Sequence, residues 1–227
     1  MIDQDDIPVV AGALPYFKRL SKKEKEIYIQ KMRKERFLRG ENIHSGEKDC
    51  EGLMIVKSGR LRVYIISDSG REATLFRPVP GEVCVLTASC VMRNIDFEVI
   101  IDAEEASEVL ILPVQNYQEI MQTSAEAADF TNQVIASRFT DVMWVMEQIL
   151  FTSLDKRLAL FLLDQTLSEE KDVISITHET IAGHLGSARE VITRMLKYFE
   201  REGMIEVFRG GIKILDPAKI KKTAGMG

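Results

Sequence analysis

Hydrophobic and polar positions change rhythm three times along the chain. From about residue 14 to 35 the spacing predicts a polar helix, with Leu14, Phe17, Leu20, Ile27 and Met32 on a broken apolar face. From Arg36 to Pro113 the apolar runs are short and strand-like, at 53–56, 61–66, 73–76, 97–101 and 109–112. Turn signals at Lys57-Ser58-Gly59, Ser67-Asp68-Ser69-Gly70 and Pro78-Val79-Pro80-Gly81 separate them, a pattern that predicts a sandwich, jelly roll or barrel. After Pro113 the pattern turns helical, and from about Ser124 to Phe151 there is neither Gly nor Pro. There Ile135, Phe139, Val142, Met146 and Ile149 recur at spacings of 4, 3, 4 and 3, an a/d seam on a helix of roughly 40 Å. Phe130, Val134, Met143, Trp144 and Leu150 lie off that seam. The apolar set is too wide for one contact, which predicts one stripe against the chain's own β-domain and one against a partner helix in a homodimer.

Residues 174–215 hold the most specific pattern. Thr177 is placed to cap a short helix from His178 to about His184, with Ile181 and Leu185 inward. Leu185-Gly186-Ser187 makes a turn, and Ser187 with Glu190 reads as a capping box opening a second helix. That helix carries Val191, Ile192, Met195, Leu196 and Phe199 as its apolar positions and ends at Gly203. Ile205–Phe208, the turn Arg209-Gly210-Gly211 and Ile212–Leu215 then read as a hairpin. Helix, turn, helix and hairpin make a winged helix–turn–helix, whose second helix enters the major groove by its first turns. Arg189, Glu190 and Arg194 occupy those turns. Arginine reads guanine O6/N7 bidentately and glutamate accepts from cytosine N4, so the set suits a half-site containing G·C pairs. Thr177 and Ser187 suit phosphate contacts.

The 227 residues are 45% hydrophobic and 29% charged, an ordinary composition with room for one large domain or two small ones. The longest apolar run, Leu158–Leu163, is far short of the roughly 20 residues of a membrane span. Asp3, Asp5 and Asp6 stand where a signal peptide would be basic, and three cysteines (Cys50, Cys84, Cys90) are too few for a disulfide framework; both predict a cytoplasmic protein. The net charge of −5 argues against a nucleic-acid partner only until it is divided. Residues 1–150 hold 18 Lys+Arg against 24 Asp+Glu, a net of −6, and residues 151–227 hold 12 against 11, a net of +1. The acidity sits apart from the segment expected to meet DNA.

The run from Ile176 to Ile205 resembles the C-terminal domain of the Crp/Fnr transcription regulators, with the Arg189, Glu190 and Arg194 set intact. Leu154–Leu163 resembles the first helix of that domain, and Lys57-Ser58-Gly59 and Pro80-Gly81-Glu82 resemble signatures of the family's β-roll. The resemblance implies an α+β chain: a cyclic-nucleotide-binding-type β-roll (1–123), a dimerisation helix (124–151) and a winged helix–turn–helix (152–227). It implies a homodimer on a palindromic double-stranded operator, contact with RNA polymerase if the protein activates, no membrane and no enzymatic activity. His178 and Ala188 depart from the family's usual basic and hydroxyl residues, which touches phosphate contacts and not the fold.

The cyclic-AMP-binding members pair a Gly-Glu with a later Arg-Ser/Thr. Gly81-Glu82 matches the first, but Phe97-Glu98 stands where the second should be, and a carboxylate there repels a phosphate. Cyclic AMP is therefore not the expected effector. Cys84 and Cys90 lie outside zinc-ligand spacing, and three cysteines do not supply the four thiolates of an iron–sulfur centre, so neither metal nor cluster is expected. They read as small buried hydrophobes, or else as a thiol switch or part of an effector pocket with Gly81, Glu82, Thr87 and Ser89. His44 near Cys50 is a single histidine and makes no ligand set; with His178 and His184 it completes the histidines, so a jelly-roll metalloenzyme has no donor cluster. The competing function is an effector-binding module that acts through protein contacts without specific DNA binding.

Overall fold

The computed structural model describes residues 2–45, 52–85, 99–169 and 173–226. They form two compact units, one from residues 1–65 and 75–142, the other from 66–74 and 143–227.

The first unit opens with α1 (Ile7–Ala13), a 3₁₀ turn (Phe17–Arg19) and α2 (Lys22–Lys31). The single helix expected over 14–35 is thus divided. Leu14 is extended just before Pro15, and Ser21 starts α2 afresh through a capping box with Glu24. The strands are β1 (Arg33–Phe37), β2 (Asn42–His44), β3 (Leu53–Ser58), β4 (Leu61–Ile66), β5 (Glu72–Phe76), β6 (Val83–Cys84), β7 (Ile100–Ala103) and β8 (Ser107–Leu112). They form two antiparallel sheets, in the orders β1-β8-β3-β6 and β2-β7-β4-β5. β3 and β8 are central in the first and apolar on both faces. Leu53, Ile55, Leu110 and Leu112 pack with the helices. Met54, Val56, Val109 and Ile111 pack with Leu61, Val63 and Ile101 in the interior of the roll. This division is the period of two expected of a strand. Gly59 follows β3 at φ +81°, and a Cβ there would lie 2.3 Å from Ser107 Oγ, so the turn demands glycine.

Pro113 ends β8 and precedes α3 (Val114–Thr123), and α4 (Ala125–Phe151) follows, with its residues through Val142 in this unit. Buried hydroxyls tie the helices together: Tyr16 and Tyr28 lie 2.6 Å apart, and Tyr117 on α3 lies 2.5 Å from Thr131 on α4. Burial pushes the Tyr16 phenol far above its ordinary range, and the neighbouring tyrosines add to it. The fully buried Asp6 carboxylate accepts from Lys57 at 2.7 Å, from the Asp3 amide at 3.0 Å and from Lys34 at 3.0 Å. Burial alone would raise that carboxyl, but these bonds outweigh it and hold the group well below the usual carboxylate range. Lys57 also meets Glu108, so the N-terminus is pinned across β3 and β8 by charge as well as by packing.

The second unit holds the last turns of α4, then α5 (Leu154–Glu169), β9 (Val173–Ile174), α6 (His178–Leu185), α7 (Arg189–Arg201), β10 (Ile205–Phe208), β11 (Gly211–Ile214) and α8 (Pro217–Thr223). Its core gathers Leu158, Leu162, Ile181, Ile192, Leu196, Phe199, Ile212 and Ile220. β10 and β11 pair as a hairpin, and β9 adds to β11. α8 was not expected, although Asp216-Pro217 is a start signal: Asp216 accepts from the Lys219 amide, and Ile220 is buried. Residues 66–74 belong to this unit. Thr74 Oγ1 lies 3.0 Å from His184 Nδ1, and Ala73 lies against the Gly186 turn.

Candidate nucleic-acid interface

α6 starts where its cap is. Thr177 is extended and its hydroxyl accepts from the Thr180 amide at 3.1 Å. The helix stops at Gly186, whose φ of +60° is left-handed, and the Ser187 amide reaches back to the Ala182 carbonyl at 3.0 Å. The expected capping box is not formed: the chain enters α7 one residue later, with Ala188 as N-cap and no side-chain cap. Glu190 is consequently exposed and not folded back onto a serine. Arg157, reaching from α5, donates to the Leu185 carbonyl at 2.8 Å and fixes the turn from below.

α7 divides cleanly. Ile192, Leu196 and Phe199 are buried, while Arg189, Glu190, Arg194, Lys197 and Arg201 are exposed. Arg189 and Arg194 stand five positions apart and so point along different directions of the same outer face. Arg189 has Glu179 at 3.8 Å, a loose pair between two exposed side chains. His178 is half-buried, with Nδ1 3.0 Å from Thr193 Oγ1. Gly203, at φ +69°, ends the helix as the sequence predicts, with the Met204 amide returning to the Phe199 carbonyl. One surface thus carries Thr177, Glu179, Arg189, Glu190 and Arg194 beside a β-hairpin. Convergent arginine and carboxylate donors and acceptors on an exposed helix start are suited to the base edges of a major groove.

A Crp-like helix-turn-helix domain matches residues 156–223, and a cyclic nucleotide-binding domain matches residues 34–124. A solved Crp/Fnr-family chain from Eubacterium rectale is 47% identical, covers 94% of this chain and 99% of its own, and superposes with a TM-score of 0.91. The chain belongs to the Crp/Fnr family. Electron transport regulator A of Shewanella oneidensis is 25% identical over 203 residues, 85% of this chain and 79% of that one. The cyclic AMP receptor protein of Thermus thermophilus is 21% identical over 210 residues, 92% and 96% of the two chains. As a Crp/Fnr protein the chain is a transcriptional regulator, with a helix–turn–helix DNA-binding domain and a cyclic-nucleotide-binding-type sensor domain. The alternative of a module acting through protein contacts alone gains no support from these likenesses. The relatives are regulators and not enzymes.

In the sensor domain the expected pocket residues divide. Thr87, Ser89 and Cys90 lie outside the described residues, as do Cys50 and the Phe97-Glu98 pair. Gly81 (φ +89°) turns the chain, its amide bonded to the Val56 carbonyl at 2.9 Å, with open space where a Cβ would stand. Glu82 faces Arg138 of α4 at 3.4 Å, and Arg138 also bonds Asp141 at 2.9 Å and lies over the Phe76 ring at 4.6 Å. Sequence reasoning missed Arg138. Its signal was an isolated arginine in a helix otherwise polar or apolar and uncharged for eight residues before it. Cys84 is fully buried, opposite Met54 in the roll interior. His44 is buried on β2 opposite Ile101. Among the described residues no cluster of three His, Cys, Asp or Glu side chains is placed to hold a metal, and no helix is long and apolar enough to cross a membrane.

Of the seam expected on α4, Phe139, Met146 and Ile149 are exposed, but Ile135 and Val142 are half-buried against the first unit's own cores. The reason is helical periodicity: at 3.6 residues per turn the stripe buried in the first unit at Ala127 and Thr131 returns at 135 and 142. The exposed large apolar residues of α4 are Phe139, Met143, Trp144, Met146, Ile149, Leu150 and Phe151, among which Phe139, Met143, Met146 and Leu150 keep a 4, 3, 4 spacing.

Proposed function

We propose that this regulator works as a homodimer that reads a palindromic operator in double-stranded DNA. Arg189, Glu190 and Arg194 are the base-reading side chains, and Thr177, His178 and Ser187 meet the sugar-phosphate backbone. The observation that carries this reading is the outer face of α7: its charges are exposed, its opposite face is locked in the core, and Glu190 has no capping duty. Pairing is supported by the stripe Phe139, Met143, Met146 and Leu150, which keeps 4, 3, 4 spacing and is exposed in the single chain. A two-fold dimer presents its two reading helices to major grooves roughly 34 Å apart.

The signal enters at the β-roll. Glu82, at the expected effector position, is bonded to Arg138 on α4, so an effector that takes either partner from the other alters a contact of the dimerisation helix itself. Such coupling is a shift of population between two dimer arrangements, and the effector must favour one. Phe97-Glu98 in place of an Arg-Ser/Thr pair supports an effector other than cyclic AMP. The protein acts in the cytoplasm, and it contacts RNA polymerase where it activates.

The deciding experiment is retardation of the protein's own upstream DNA in excess competitor. A specific complex that competitor does not remove is expected. Binding that disappears with competitor at every effector condition would return the chain to a protein-contact role.

A further inference from the structure

Thr193 on α7 donates its hydroxyl hydrogen to the Arg189 carbonyl at 2.9 Å. The same oxygen stands 3.0 Å from Nδ1 of His178, the first residue of α6. A carbonyl only accepts, and a threonine hydroxyl has one hydrogen to give. With that hydrogen committed to Arg189, Thr193 accepts from His178, so the ring proton sits on Nδ1. The neutral ring then keeps its lone pair on Nε2, and the next proton it takes up goes there. Among the described residues nothing bonds Nε2.

The place matters as much as the tautomer. Thr193 holds His178 against the turn of α7 that carries Arg189. On the His178 side, Thr177 and Thr180 are exposed and 2.8 Å apart at their hydroxyls. The charged residues next to His178 on α6 and within a turn of Thr193 on α7 are Glu179, and Arg189, Glu190, Arg194 and Lys197. Glu179 is already turned to Arg189. A permanently charged guanidinium at 178 would meet phosphate at any pH. An imidazole carries that charge only when it is protonated on both nitrogens.

We propose that His178 is a proton-dependent phosphate contact: it grips a DNA backbone phosphate through Nε2 only as the imidazolium, so the affinity of this regulator for DNA rises as pH falls. It rests on the DNA-reading assignment above. Each subunit takes up one proton from solvent when the contact forms, and no covalent bond changes. Thr193 is the positioning residue that keeps Nδ1 occupied and aims Nε2 outward.

The test uses the full-length protein and a duplex that it selects from a random-sequence pool. Dissociation constants are measured at fixed salt from about pH 5.5 to 8.5. Affinity is expected to fall with rising pH, by up to about tenfold per pH unit per subunit in the titrating window. The slope of log affinity on log salt should be steeper on the acid side by about one per subunit, the signature of one more phosphate contact. His178→Gln should bind with the weaker, pH-flat affinity, and His178→Arg with the tighter affinity, also pH-flat. Histidine nitrogen NMR of the free protein on the alkaline side should find the His178 proton on Nδ1. A parent affinity flat in pH, a pH slope kept in His178→Gln, or a proton on Nε2 would each overturn the proposal. A pool that yields no enriched sequence would overturn the DNA reading itself, whereas enrichment with flat pH dependence defeats this inference alone.

Discussion

Arg189 is exposed because of what stands behind it: Ile192, Leu196 and Phe199 fix the roll of α7 about its axis, and the arginine has no freedom to turn inward. Its pair with Glu179 is loose and solvent-exposed, so little is lost when a base replaces the carboxylate. Arg189→Ala is expected to cost about 1–3 kcal/mol at the matched base pair and to relax specificity there. Unchanged operator affinity at fixed salt would remove Arg189 from base reading. Asp6 is the opposite kind of residue, a charge with no exposure held by two lysines. Asp6→Asn should destabilise the first unit by about 3 kcal/mol at neutral pH, because Lys57 and Lys34 keep their charge and lose a buried partner. The pH dependence has a definite sign. The folded carboxyl is depressed, so its contribution is complete above the unfolded carboxylate range of about 4 and is lost as pH falls from there. Urea unfolding of parent and variant should converge on acidification. A gap that persists in acid would show that the charge is not what Asp6 contributes.

Elements repeat the lesson that a helix face is defined by what has already been covered. Along α4 the first unit's cores take Ala127, Phe130, Val134, Ile135 and Val142, and the exposed apolar residues lie on what is left. Met143→Lys, at a position 45% exposed in the single chain, should leave the fold intact and weaken self-association about 100-fold, measured by sedimentation equilibrium. Association at parental strength would place the interface elsewhere. The same element shows how far the sequence could be read. Its length and helicity were plain from the absence of Gly and Pro, but which of two overlapping 4,3 patterns faced out depended on the roll, which no local spacing encodes. β1 was invisible for a related reason: Arg33-Lys34-Glu35-Arg36-Phe37 is an edge strand whose side chains pair with carboxylates, so it carries no apolar alternation. The helix–turn–helix was legible nearly in full, because caps and glycines are local devices. Its one error was Ser187 as N-cap: the chain turns into α7 one residue later, at Ala188. Arg138 stood out in the sequence only as a lone charge, and its partner Glu82, 56 residues away, was not legible from any local spacing.

At the scale of the molecule the uneven charge becomes a division of labour. The excess acidity lies in residues 1–150, and the arginines proposed to read DNA stand at one helix start in a segment of net +1. Affinity for DNA should therefore depend steeply on salt despite the negative total. The sensor end makes a separate expectation. Calorimetry with cyclic AMP should give no submicromolar binding if Phe97-Glu98 takes the place of the Arg-Ser/Thr pair, as the resemblance implies; a tight, saturable heat would overturn this. The outer stripe of α4 also carries a means of watching assembly. Trp144 is the only tryptophan of the chain, and it is 56% exposed beside Met143. Its emission needs no label and no mutation. On dilution through the association range the spectrum should move to the red as water reaches the indole, and a ligand that reshapes the dimer should shift it at constant concentration. The light given off by one side chain would then report, in real time, the step that connects signal to DNA.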